Sequence, residues 1–162
     1  MMKIGFSTGA IALGDFERAL MLLDQTAMKA VELSALRLHE LPTLIEVLSR
    51  LDLTKYDYIS FHAPSRFERD EEDRIVQSLA AVPKKYPIIL HPDTVHNSAK
   101  WRQFGSQLAI ENMDRRKEVG RTAEELKCWF EQLPEARLCL DLAHAHQVDQ
   151  IGRASCRERV WR

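Results

Sequence analysis

The chain has 162 residues, 45% of them apolar and 29% charged, and 23 Lys and Arg face 24 Asp and Glu for a net charge of −1. That is one domain's worth of ordinary globular sequence, long enough for a real core. No apolar run reaches membrane-spanning length, and no broad basic stripe offers itself to a phosphate backbone.

Residues 3–7 (KIGFS) read as a first short strand, and one Lys ahead of so short an apolar run suits a strand better than a signal sequence. Thr8-Gly9-Ala10 turns the chain away. Asp15 can cap a helix whose apolar positions Phe16, Ala19, Leu20, Leu23 and Ala27 recur at helical spacing. Residues 30–33 (AVEL) form the second strand. A second helix follows with Leu41, Leu44, Ile45, Leu48 and Leu51 on one face and Pro42 in its first turn, where a missing N–H costs nothing.

Residues 58–62 (YISFH) form the third strand, closed by Ala63-Pro64. The acidic run 68–73 reads as the solvated entrance of a third helix over 74–82, where it suits the helix dipole. Residues 87–91 (PIILH) form the fourth strand, ended by Pro92, with at most a short helix over 98–104. Residues 107–111 (QLAIE) form the fifth. Thr122 and Glu125 make a T-x-x-E capping box before a helix with Ala123, Leu126, Phe130 and Leu133 on one face, and 137–141 (RLCLD) is the sixth strand.

Six strands alternating with helices imply a parallel α/β sheet. Most of the strand runs are continuously apolar, as expected when both faces are covered. The apolar runs stop at Ser7, Ser34, His62, His91, Glu111 and Asp141, in steps of 27, 28, 29, 20 and 30 residues, each with room for one strand, one helix and two loops. The first loop, STGAIALG, is neither GxGxxG nor GxxxxGK[ST], which argues against an open nucleotide-binding sheet. Polar groups at many strand ends favour a partial (β/α)8 barrel (TIM barrel) of about six βα units.

The last twelve residues, IGRASCRERVWR, abandon this pattern. They resemble a translated sequencing adapter, so residues 151–162 are expected to be a non-native tail and 1–150 a C-terminally truncated barrel domain. Without the tail, 19 basic residues face 23 acidic ones, a net charge of −4. The three cysteines, Cys128, Cys139 and Cys156, are widely spaced without a CxxC and fit reduced thiols, in keeping with a cytoplasmic protein.

His62, His91, Glu111, Asp141 and His144 all stand at or just past strand ends. In a parallel barrel those ends converge on one face. Imidazole and carboxylate together are a ligand set for zinc, manganese or cobalt. A carboxylate directly after an apolar strand is costly to bury unpaired, so Glu111 and Asp141 need partners. His39 and His96 fall outside this scheme, and His146 is a weaker companion of His144.

The stretches KIGFSTG, AVELS, SFHAP, ILHPD, AIEN and CLDLAHAH, in that order, resemble the xylose isomerase-like barrel superfamily of sugar isomerases and epimerases and of apurinic endonuclease IV. The resemblance spans residues 2 to about 149. It implies that Glu111 and Asp141 bind a divalent metal (Mn, Co, Mg or Zn), with His144 on metal or substrate. In its endonuclease branch, His62 and His91 join Glu111, Asp141 and His144 as ligands. It implies, first, a sugar or sugar-phosphate isomerase or epimerase. Glu111 and His144 would be catalytic and His62 substrate-binding, for a small sugar or sugar phosphate. In the loop MDRRKEVGR after the fifth strand, Arg115, Arg116 and Lys117 could hold a phosphate or sugar carboxylate as further substrate-binding residues, though a solvated charged loop is the more ordinary reading. An abasic-site endonuclease is the alternative, disfavoured by the net charge. A third reading is a non-catalytic partial barrel, because the family completes its site with a histidine and a glutamate from later strands. The expectation is that this polypeptide itself is inactive. Oligomeric state stays open, and no membrane partner is expected.

Overall fold

A computed structural model describes residues 3–148; the expected tail, with Cys156, lies outside the described residues. The chain is α/β, with six strands and seven α-helices among the described residues. It divides into two compact units, residues 1–89 and 90–162.

In the first unit, β1 (Gly5–Ser7), β2 (Ala30–Ser34), β3 (Tyr58–His62) and the start of β4 (Ile88–Leu90) pair in sequence order, every pair parallel. Register runs from Gly5 opposite Ala30 to Ser7 opposite Glu32, and from Ala30 opposite Tyr58 to Ser34 opposite His62. The pairing outlasts the strands, since the Ala35 N–H donates to the His62 carbonyl and the Ala63 N–H to the Ile89 carbonyl. Parallel neighbours need long crossovers, and helices supply them. α2 (Phe16–Asp24) buries Phe16, Ala19 and Leu23. α3 (Glu40–Leu48) buries Leu41, Leu44 and Leu48, and α4 (Glu72–Leu79) buries Ile75, Val76 and Leu79. Each set recurs every three or four residues, the spacing that lays one helix face on a sheet. Asp15 caps α2 as expected, accepting from the Arg18 N–H at 2.9 Å.

Three local expectations are corrected. Thr8-Gly9-Ala10 is not a bare turn but opens α1 (Thr8–Ala12). α2 and α3 stop before Ala27 and Leu51, so the last apolar residue of each pattern lies outside its helix. The acidic run does surround the start of α4, yet Glu72 is fully buried and not part of a solvated entrance.

The second unit carries the end of β4 and two further strands. After β4 a 3₁₀ turn, Pro92–Thr94, ends the strand where Pro92 forbids continuation. A short α5 (Ser98–Trp101) and a further 3₁₀ segment lead into β5 (Leu108–Glu111). α6 (Ala123–Gln132) returns the chain to β6 (Arg137–Cys139), which runs parallel to β5 with Glu111 opposite Cys139. α7 (Leu142–Gln147) follows at once. The core here is Trp101, Phe104, Leu108, Ile110, Leu126 and Leu133. β6 departs from a strand covered on both faces: Leu138 is 50% exposed. No helix among the described residues is long and apolar enough to cross a membrane.

Candidate metal centre

The second unit gathers four of the five expected ligands. His91 directly follows β4, its backbone extended, and Thr94 caps its carbonyl with both N–H (3.2 Å) and hydroxyl (2.8 Å). Glu111 is the last residue of β5 and is buried. His91 Nε2 stands 3.0 Å from Glu111 Oε2, and His144 Nδ1 stands 3.6 Å from Glu111 Oε1. One carboxylate is thus flanked by two imidazoles.

Asp141 and His144 are joined by helix geometry. Asp141 is the N-cap of α7, and its Oδ1 accepts the His144 N–H at 2.8 Å. A D-x-x-H spacing is therefore cap and third helical residue, which brings the imidazole over the capping carboxylate. The other oxygen, Oδ2, lies 3.8 Å from His144 Nδ1. Glu111, Asp141 and His144 each offer a ligand atom within 4.8 Å of the others, the spacing a single cation needs. Divalent metals such as zinc, cobalt and manganese take this mixture of imidazole and carboxylate, and burying Glu111 is costly without a positive partner. The residues present therefore fit a divalent ion.

Two residues central to this cluster carried no assigned role in the sequence. Asn112 is fully buried. Its Nδ2 donates to the Asp141 carbonyl at 2.9 Å, its Oδ1 accepts the Asp141 N–H at 2.6 Å, and its own carbonyl lies 2.9 Å from His144 Nδ1. Asp114 is buried beside it, 3.9 Å from His144 Nε2. The Arg116 Nε reaches both of its oxygens, at 3.1 and 3.0 Å, and these hydrogen bonds hold the Asp114 carboxyl down at about 2 despite burial. The signals were present: Asn112 ends the quoted AIEN stretch, and D-x-R is a spacing at which a turn lets the two side chains pair.

Arg116 pairs with Asp114, and Arg115 is exposed. Lys117 instead pairs with Asp93 at 2.6 Å and ties the loop after β5 to the turn after β4. His62 ends β3 in the first unit, buried, with Nδ1 2.7 Å from the Ala63 carbonyl. His146 is exposed on α7, and His39 directly precedes α3. Compared with models of protein families, with curated proteins and with solved structures, the chain matches none.

Proposed function

We propose that this chain belongs to a divalent-metal enzyme of the xylose isomerase-like barrel class, acting on a small sugar or sugar phosphate as an isomerase or epimerase. The observation that carries the reading is the Glu111 carboxylate, buried at a strand end between His91 and His144 with Asp141 in reach. Order and spacing of the strand-end motifs support the barrel class, as does the strict alternation of parallel strands with helices.

Glu111 and Asp141 would hold the ion, with His91 and His144 beside Glu111; the resemblance adds His62 to the ligand or substrate set. A bound divalent ion would supply Lewis acidity toward a carbonyl and its neighbouring hydroxyl. The two imidazoles that face the buried Glu111 carboxylate are polar partners for it. His144, through the ring nitrogen turned away from Asn112, is the group that would take and return a proton between adjacent carbons. Arg115, exposed in the loop after β5, would meet an anionic sugar substituent.

Calorimetric titration with Mn²⁺, Co²⁺, Mg²⁺ and Zn²⁺ tests this directly. Wild type is expected to bind at least one of them, and Glu111→Gln, which removes the shared charge while keeping shape, should weaken binding by about 100-fold or more, at or beyond the upper end of what losing even a supporting group costs. Equal affinity in the two proteins would sink the metal centre. Tight, steeply salt-dependent binding of abasic DNA would redirect the reading to phosphodiester hydrolysis.

A further inference from the structure

We propose that Asn112 is a positioning residue that docks the start of α7 and fixes the His144 ring as the Nδ1–H tautomer, leaving Nε2 as its lone-pair nitrogen. The proposal rests on the metal-centre reading and deepens it. Asn112 grips Asp141 at both backbone groups, N–H into Oδ1 at 2.6 Å and Nδ2–H into the carbonyl at 2.9 Å. Its own N–H reaches the Cys139 carbonyl, so the residue is anchored to β6 as well. The Asp141 side chain caps the helix on which His144 sits. One fully buried amide thus joins the end of β5, the end of β6 and the first turn of α7.

The consequence for His144 follows from donor chemistry. A backbone carbonyl can only accept, so the nitrogen 2.9 Å from the Asn112 oxygen carries the proton. That nitrogen is Nδ1, the one nearest Glu111 and Asp141. Nε2 is left to accept or coordinate, and it faces the side of Asp114, 3.9 Å away. His144 therefore does not share one ion with Glu111 and Asp141 through Nδ1 while this bond stands. It presents Nε2 toward a neighbouring position, where a second ligand atom or a substrate hydroxyl would meet it. Supporting groups that fix tautomer in this way are what tune histidine in metal sites.

The test is two-bond ¹⁵N correlation NMR on metal-free protein labelled at histidine, near pH 8.5 where imidazoles are neutral, with His144 assigned from its loss in His144→Gln. Wild type is expected to show a protonated Nδ1 and a bare Nε2. In Asn112→Ala the grip on Asp141 is gone, and the ring should shift toward the Nε2–H form. Asn112→Asp keeps the acceptor and loses the donor, and should fall between them. Zn²⁺ affinity should drop about 10- to 100-fold in Asn112→Ala. An Nε2–H ring in wild type, or an unchanged tautomer in Asn112→Ala, overturns the proposal. The wild-type spectrum decides even if a variant fails to fold. Absence of Zn²⁺ binding by wild type would count against the metal centre alone, since the tautomer is read without metal.

Discussion

Gly120 closes the loop after β5, and it does so with no spare room. Its φ is +77°, and a Cβ there would stand 2.4 Å from Pro92 Cγ and 3.2 Å from Met113 Cγ. Its carbonyl accepts the Met113 N–H at 2.8 Å, so the loop folds back onto the first residues after β5. Gly120→Ala should cost about 1–3 kcal/mol, combining the left-handed backbone penalty with overpacking against Pro92. Urea unfolding measures this, and a cost below about 0.5 kcal/mol would mean the loop can shift away from Pro92. At this scale the sequence was informative where a polar residue interrupts an apolar run, because burying His91, Glu111 or Asp141 at a strand end needs a reason. It was silent on Asn112, whose task depends on backbone groups 29 residues later in the chain. For Arg116 it left a ligand grip and a solvated charged loop both open, because the spelling does not reveal that the guanidinium pairs with the buried Asp114.

Helix entries were legible because their signals are local; helix ends were less so. α6 shows both. Thr122 accepts the Glu125 N–H at 3.2 Å, half of the expected capping box. The return bond goes elsewhere: Glu125 Oε2 takes the Arg121 N–H at 2.7 Å, and Oε1 takes the Arg121 guanidinium at 2.8 Å. An arginine directly before the cap competes for the carboxylate, and hydrogen bonding to it pulls the Glu125 carboxyl below its usual range. A depressed folded value means the unfolded chain binds more protons. The contribution is therefore present above the unfolded glutamate value, about 4.3, and lost as pH falls through the lower folded value. Chemical unfolding from pH 7 to 2.5 should show wild type losing more stability below about pH 4.5 than Glu125→Gln does. Thr122→Ala should cost about 1 kcal/mol at neutral pH. Parallel curves for wild type and Glu125→Gln would show that the Arg121 pair is screened into irrelevance. α1 went unseen because five residues with no apolar period carry no pattern to find.

At the scale of the whole chain, alternation of apolar strands with amphipathic helices was enough to establish parallel α/β architecture, since only helical crossovers of this length return the chain to the same direction. Closure into a barrel is a different kind of fact, set by strand tilt and stagger, and strand letters do not encode it. Stability is also distributed unevenly among the strands, which their apolar spelling conceals. β2 and β3 pair along five residues, and each is flanked by a second parallel neighbour within the first unit. Their interiors bury Val31, Leu33, Ile59 and Phe61. β6 has only three residues against β5, with Leu138 and Leu140 about half exposed. Amides open with free energies set by such local burial and pairing. Native-state hydrogen exchange should therefore leave the amides of Leu33 and Phe61 among the slowest in the first unit. Within the second unit the β6 amides should exchange faster than that of Ile110 in β5, whose side chain is fully buried. Because only two residues separate α7 from β6 and α7 is docked by Asn112, the Asn112→Ala change should accelerate exchange in residues 138–146 and leave β2 and β3 unaffected. Acceleration spread evenly through both units would mean instead that Asn112 supports global stability, not the local geometry of Asp141 and His144.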